Sequence, residues 1–280
     1  MKTSLVFEKT ENVLPLSLSE LKLSLKQTEA NGALPKSRPV EHFQFIENIC
    51  EIADKANLKP TIEDIWVSKS DSKRVPILDP EKEGLLKSWL FQRLVCRINL
   101  ASSYNENYNT SIGIGYNTQG MTLVMGTNVM VCSNMSIFGD NMLQTFGNNK
   151  ILEYPKIMDL ASEWIMGSAE KHVEDVGILE QMKTISLSSN GLKTIIGDLH
   201  TKAVWDAYFS REGEGGPLNI TQVSVLSKNI LKEHRGLPTT ITLNEAYNIC
   251  TNIVKPHNAD ITDIWQRSRA LGNYFAGQLN

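Results

Sequence analysis

From Ala101 to Asn149 the chain carries no acid or base other than Glu106 and Asp140, while apolar and small polar residues alternate along it. Period-two alternation sends successive side chains to opposite faces of a strand, and a segment with so little charge has little to hold it in water. Arg93 to Asn149, centred on Met121 to Asn134, therefore reads as a buried sheet around which the rest of the chain is organised. Leu94, Cys96, Ile98 and Leu100 share one side of its first strand, and Arg93, Val95, Arg97 and Asn99 the other. Ser111 to Tyr116 alternates, Asn117-Thr118-Gln119-Gly120 supplies a turn, and Met121 to Val131 returns as the second arm of an antiparallel hairpin. Gly113 and Gly115 fall on one face of it, and glycine inside a strand marks a bulge or a close approach. Tyr104 to Thr110 reads as an Asn- and Tyr-rich loop, and Phe138 to Asn141 as a turn.

The flanking segments follow a helical period. Phe43, Ile46, Ile49, Cys50 and Ala53 mark one face of a helix over residues 40–56, ended by Asn57 and Pro60. Ile62 to Val67 reads as a short strand with Arg74 to Leu78 as its partner, and Asp79-Pro80-Glu81 as a helix start. Beyond Pro155 the pattern is helical: Ile157, Leu160, Ala161, Trp164 and Ile165 lie on one face, which Val173, Val176, Leu179 and Met182 continue. Ser188-Ser189-Asn190-Gly191 breaks the run before a helix from Leu192 to about Trp205 or Tyr208, and Arg211 to Pro217 is a loop. Ile220 to Leu231 is helical, Thr242 and Glu245 form a capping box, and a last helix from Asp260 buries Ile264, Trp265, Leu271 and Phe275.

Strands gathered in one half and helices in the other predict an α+β fold, with an antiparallel sheet in the first half packed with a helix-rich C-terminal half. The chain divides into an extended arm over residues 1–40, a mixed α/β core with the hairpin over 41–150, and a helical part over 151–280 packed on the same core.

Several chemistries are excluded by spacing. The four cysteines (Cys50, Cys96, Cys132 and Cys250) include no CxxC pair, and the five histidines are isolated, so neither a metal site nor a cofactor is expected. Gly113-Ile114-Gly115 lacks the third glycine and the helix of a dinucleotide loop, and no serine elbow is present. No catalytic residues are assigned, and the chain reads as a non-enzyme. No apolar run approaches a membrane span or a signal-peptide core, so a cytoplasmic protein without membrane contact is expected. With 28 basic and 31 acidic residues the net charge is -3, so contact with nucleic acid needs a local patch.

Such a patch is suggested beside the hairpin. Arg93 and Arg97 lie four apart on a strand, about 13 Å along one face. Lys87 precedes them, and Tyr104, Tyr108 and Tyr116 follow. Arginines and stacking rings on one strand face suit single-stranded nucleic acid. Pairing of these arginines with carboxylates is the structural alternative.

Gly126-Thr127-Asn128-Val129-Met130-Val131-Cys132-Ser133-Asn134, followed by Met135-Ser136-Ile137-Phe138-Gly139, resembles the V-C-x-N strand of phage- and plasmid-borne families of unknown function, notably one frequent in Bacteroides and their phages. Thr242 to Thr251 resembles their C-terminal W-x-x-Y-N-x-x-T segment, with Leu243 or Asn244 standing where those families often have Trp. The resemblance implies a phage or mobile-element protein acting in a bacterial host and carries no catalytic residues. The function expected is non-enzymatic binding of single-stranded DNA in replication or recombination. The alternative is a protein-binding accessory factor, such as an inhibitor of a host defence system, with the oligomeric state open.

Overall fold

Both sides of the strand at Arg93–Leu100 are buried, which fixes where the sheet lies. A computed structural model of the chain describes residues 13–22, 40–68, 93–100, 108–116, 121–129, 137–144, 150–209, 216–233, 240–254 and 261–279. Within these, β1 (Val13–Pro15), β2 (Pro60–Ser68), β3 (Arg93–Leu100), β4 (Tyr108–Tyr116), β5 (Met121–Val129) and β6 (Phe138–Gln144) form one sheet in sequence order. Every neighbouring pair is antiparallel. Seven α-helices are described: α1 (His42–Lys55), α2 (Lys150–Met166), α3 (Ser168–Thr184), α4 (Ser189–Phe209), α5 (Ile220–Glu233), α6 (Leu243–Ile253) and α7 (Ile261–Ala276). The fold is α+β, an antiparallel sheet in the first half followed by a helix-rich second half.

One face of the sheet carries Leu94, Cys96 and Ile98 with Ile112, Ile114, Leu123 and Met125, and α1 and α2 close it through Phe45, Ile46, Ile49, Ile157 and Ala161. On the other face, Trp66, Val95 and Val124 share a core with α3 to α7. The alternation in β3 therefore separates two cores.

Gly113 is the hinge of the second face. A Cβ there would meet Cζ2 of Trp265 at 2.5 Å and Cγ1 of Val124 at 2.6 Å. The indole of α7 lies almost on the backbone of β4, the close approach that glycine in a strand permits.

Several elements depart from the sequence reading. β4 begins at Tyr108, so Tyr108 to Thr110 belong to the strand rather than to a loop. Phe138 to Asn141 is not a turn but the start of edge strand β6. Turn-forming residues sit in this strand because it is irregular: the register slips between Met125 and Thr127, and Gly139 adopts φ +135. A Cβ at Gly126 would collide with the Phe138 carbonyl. The partner of β2 is β3 on one side and β1 on the other, so the leucine-rich arm is anchored, with Leu16 N–H donating to the Ile65 carbonyl and Leu21 fully buried. Arg74 to Leu78 and the helix start at Asp79 lie outside the described residues. Helix α2 starts at Lys150 and carries Pro155 in its second turn. A two-stranded ladder of β7 (Ser186–Ser188) and β8 (Thr240–Thr242) ties α3 to α6, whose Thr242–Glu245 capping box is formed.

Replacing Gly113 by Ala should lower the stability by about 1–3 kcal/mol, because neither the indole nor the Val124 methyl has room to retreat. Urea titration followed by circular dichroism measures this, and an unchanged midpoint would show that α7 does not rest on β4.

Candidate functional site

Each residue proposed for nucleic-acid contact has a definite place or lies outside the described part. Lys87 and Tyr104 are outside it, and Arg93 is described by its backbone, paired with Ser68 in the ladder. Arg97 is 9% exposed, and its Nη2 pairs with Glu63 Oε2 at 2.6 Å. Glu63 stands at the bulge of β2, where the register shifts between Ile62 and Asp64, and such an extra residue re-aims a side chain. Tyr108 is buried and its hydroxyl donates to Glu180 Oε1 at 2.8 Å. Tyr116 is buried against His42 and Phe45, its hydroxyl donating to the Val40 carbonyl at 3.1 Å. Neither ring offers a face on which a base could stack, and Arg97 is committed to a carboxylate. The structural pairing of Arg97 is the arrangement observed.

A different constellation gathers at the open end of the β4–β5 hairpin, where α3 passes over it. Thr110 and Thr127 are register partners, and each places its hydroxyl by Nδ1 of His172, at 3.1 and 3.3 Å. Thr127 also donates to Asp175 Oδ2 at 3.2 Å, and Lys171 Nζ lies 3.5 Å from Asp175 Oδ1. Beside it, a Cβ on Gly139 would come within 3.0 Å of Asp175 Oδ2, so the glycine leaves room for the carboxylate. One turn further along α3, Glu180 accepts from both Tyr108 and Lys183.

A hydroxyl beside an imidazole is the pairing of a nucleophile and its base, but here the carboxylate bonds to Thr127 rather than to His172. Burial decides against that use here: Thr110, Thr127, His172 and Asp175 are each at most 5% exposed. Burial holds the His172 ring below its usual pKa, which favours the neutral imidazole. Burial also pushes the Asp175 carboxyl up to about 6, against the opposing pull of Lys171 and Thr127. The arrangement is a buried polar clamp between sheet and helix, satisfied from within.

The sequence reading left His172 a surface or hydrogen-bonded structural histidine and Asp175 a solvated charge, with Val173 and Val176 setting a helical phase one residue away. Val173 is 59% exposed. The signal that finds the true face is the α2 stripe itself: Ile157, Ala161 and Ile165 run on through Ser168, His172, Asp175, Leu179 and Met182, all buried, at steps of three or four.

An open concavity lies elsewhere. Between α4 and α5 runs a groove of about 540 Å³, with Ile196, Gly197, Val223 and Leu231 along its floor and Lys193 and His200 on its α4 side. A Cβ at Gly197 would meet nothing within 4 Å, and Leu231 is 50% exposed. Toward the C-terminal end of α4, Trp205 and Tyr208 are also largely exposed. Among the described residues no cluster of three His, Cys, Asp or Glu could hold a metal, and no helix is long and apolar enough to cross a membrane. Burial raises the thiols of Cys50 and Cys250, to about 11 and about 12, which suits packing rather than nucleophilic chemistry. Cys132 lies outside the described residues.

Because the Asp175 pKa is raised on folding, the folded chain binds more protons than the unfolded chain between about pH 4 and pH 6. The cost of burying the charged carboxylate, on the order of 3 kcal/mol, applies above that window and fades as pH falls through about 6. Relative to Asp175→Asn, the native chain should therefore gain stability on acidification from pH 7.5 to 4.5 in urea titrations. A difference that stays flat would sink this account. Arg97→Ala should lower stability by about 1–3 kcal/mol by leaving Glu63 without its partner. Unchanged stability would show the pair to be idle.

Compared with protein-family models, with curated proteins and with solved structures, the chain matches none.

Proposed function

We propose that this chain is a non-enzymatic protein-docking factor that engages its partner through the α4–α5 groove. One observation carries the reading: an open, mainly apolar concavity lies between α4 and α5, with the half-exposed Leu231 in its lining. Exposed apolar surface of this kind, rimmed by polar groups, is what helix-in-groove recognition uses. Leu231, Trp205 and Tyr208 are side chains that packing normally takes from water, and here they stand in it. The groups of reactive type, Thr110, Thr127, His172 and Asp175, are enclosed and meet each other. Tyr108 and Tyr116, two of the rings expected to stack on bases, are enclosed as well. This favours the protein-binding alternative over single-stranded DNA on the hairpin face. It also accords with a mobile-element gene product, the setting suggested by the segments at Gly126–Asn134 and Thr242–Thr251.

A photo-crosslinking residue placed at Ser224, on the groove wall, provides the test in bacterial cells expressing the chain. The expected result is a nuclease-resistant protein adduct that Leu231→Glu suppresses, since a buried carboxylate would oppose docking by several-fold in yield. An adduct removed by nuclease, or one indifferent to Leu231→Glu, would overturn the reading in favour of nucleic acid or of random capture.

A further inference from the structure

The same fold carries a surface that complements the groove. Along α2 and α3, Glu163, Met166, Glu170, Val173 and Glu174 form a single exposed stripe. Met166 is 75% exposed and Val173 59%. The stripe is nearly continuous across the junction, because Gly167 keeps a right-handed helical conformation, its N–H donating to the Glu163 carbonyl at 3.0 Å and its carbonyl accepting from Lys171 N–H at 3.2 Å.

We infer that a second copy of this chain occupies the α4–α5 groove, docking the Met166–Val173 stripe of one molecule against Lys193, His200 and Leu231 of the next. This rests on the docking reading of the groove and names its occupant. Spacing is the first argument. Met166 and Val173 are seven residues apart, about 10.5 Å along a helix, as are Glu163 and Glu170 on the stripe and Lys193 and His200 on the groove. One register therefore sets both apolar side chains over the floor and both carboxylates beside Lys193 and His200.

Charge is the second. Among the described residues the groove is lined by Lys193 and His200 and by no acid. Asp198, on the same helix, is turned toward Tyr274 by a hydrogen bond, and Asp206 lies against Gly216. Lys228 adds an exposed cation on α5. On the stripe Glu174 is already paired with Lys171 at 2.9 Å, which leaves Glu163 and Glu170 to answer the groove. The stripe and the groove are different patches, so the contact is heterologous and propagates head to tail unless the rotation closes a ring. Two helical turns bury less than a standard interface, so the association is weak and grows with concentration.

Sedimentation of the full chain from ~10 µM to ~500 µM, in low and high salt, gives the first reading, because contacts of this size declare themselves only at high concentration and their ionic part is screened by salt. The expected result is a rise in average mass with concentration that high salt reduces. Val173→Glu and Leu231→Glu should each remain monomeric at the concentrations where the native chain associates. Mixed in equal amounts they should give a one-to-one dimer and nothing larger, since Val173→Glu keeps an intact groove and Leu231→Glu an intact stripe. Gly197→Leu, which fills open space in a helix, should block association with its thermal midpoint retained. A native chain that stays monomeric, or a mixture that assembles no better than its parts, would overturn the inference. If Ser224 then crosslinks only to a different protein, the docking reading survives without it; if Ser224 gives no groove-dependent protein adduct, both fall.

Discussion

The fold depends on how α3 crosses the open end of the β4–β5 hairpin. Thr110 and Thr127, directly opposed in the ladder, meet His172, and Thr127 bonds to Asp175. Above this point α2 covers one face of the sheet with Ile157, Ala161 and Ile165, and beyond it Leu179 and Met182 of α3 belong to the core on the other face. Polar groups at such a crossing are costly unless satisfied, and here each threonine, the histidine and the aspartate answer one another. Hydrogen bonds have directions that apolar contacts lack, so the cluster sets where α3 sits along the hairpin. Apolar packing alone would tolerate small slips of the helix.

That arrangement separates the parts of the molecule that hold it together from those that face outward. The hairpin, which carries the least charge, is enclosed by helices on both faces, and its tyrosines spend their hydroxyls on Glu180 and on the Val40 carbonyl. Arg97 spends its charge on Glu63. Among the described residues the exposed large apolar side chains lie on helices, among them Met166 and Val173 on α2 and α3, and Trp205, Tyr208, Val225 and Leu231 on α4 and α5. These surfaces lie on elements that the sheet positions but does not itself expose.

Much of this could be read from the sequence, and the failures have physical causes. The two sides of β3, the hairpin pairing of β4 with β5, the Thr242 capping box and the buried face of α7 were all legible, because each follows from a periodicity or a local hydrogen bond. Gly113 was legible as a point of close approach, although not that Trp265 would fill it. Strand β6 was hidden because Gly139 and Asn141 are turn residues, used here to let an edge strand pass Gly126. Arg97, Tyr108 and Tyr116 were misread for the same kind of reason. Arginine and tyrosine look alike in sequence whether they face water or are buried with a partner, and only tertiary packing chose Glu63 for Arg97. His172 and Asp175 were disguised by the valines beside them.

The outer strands of the sheet have a consequence for how copies of this chain meet. Among the described strands, β1 is three residues long and ends on Pro15, which has no amide hydrogen to donate, and β6 carries the irregular backbone of Gly139. β1 therefore offers little ladder to a further strand, and β6 keeps a regular register only from Asn141 to Gln144. Edge-to-edge pairing of one sheet with another is thereby disfavoured at both of these margins.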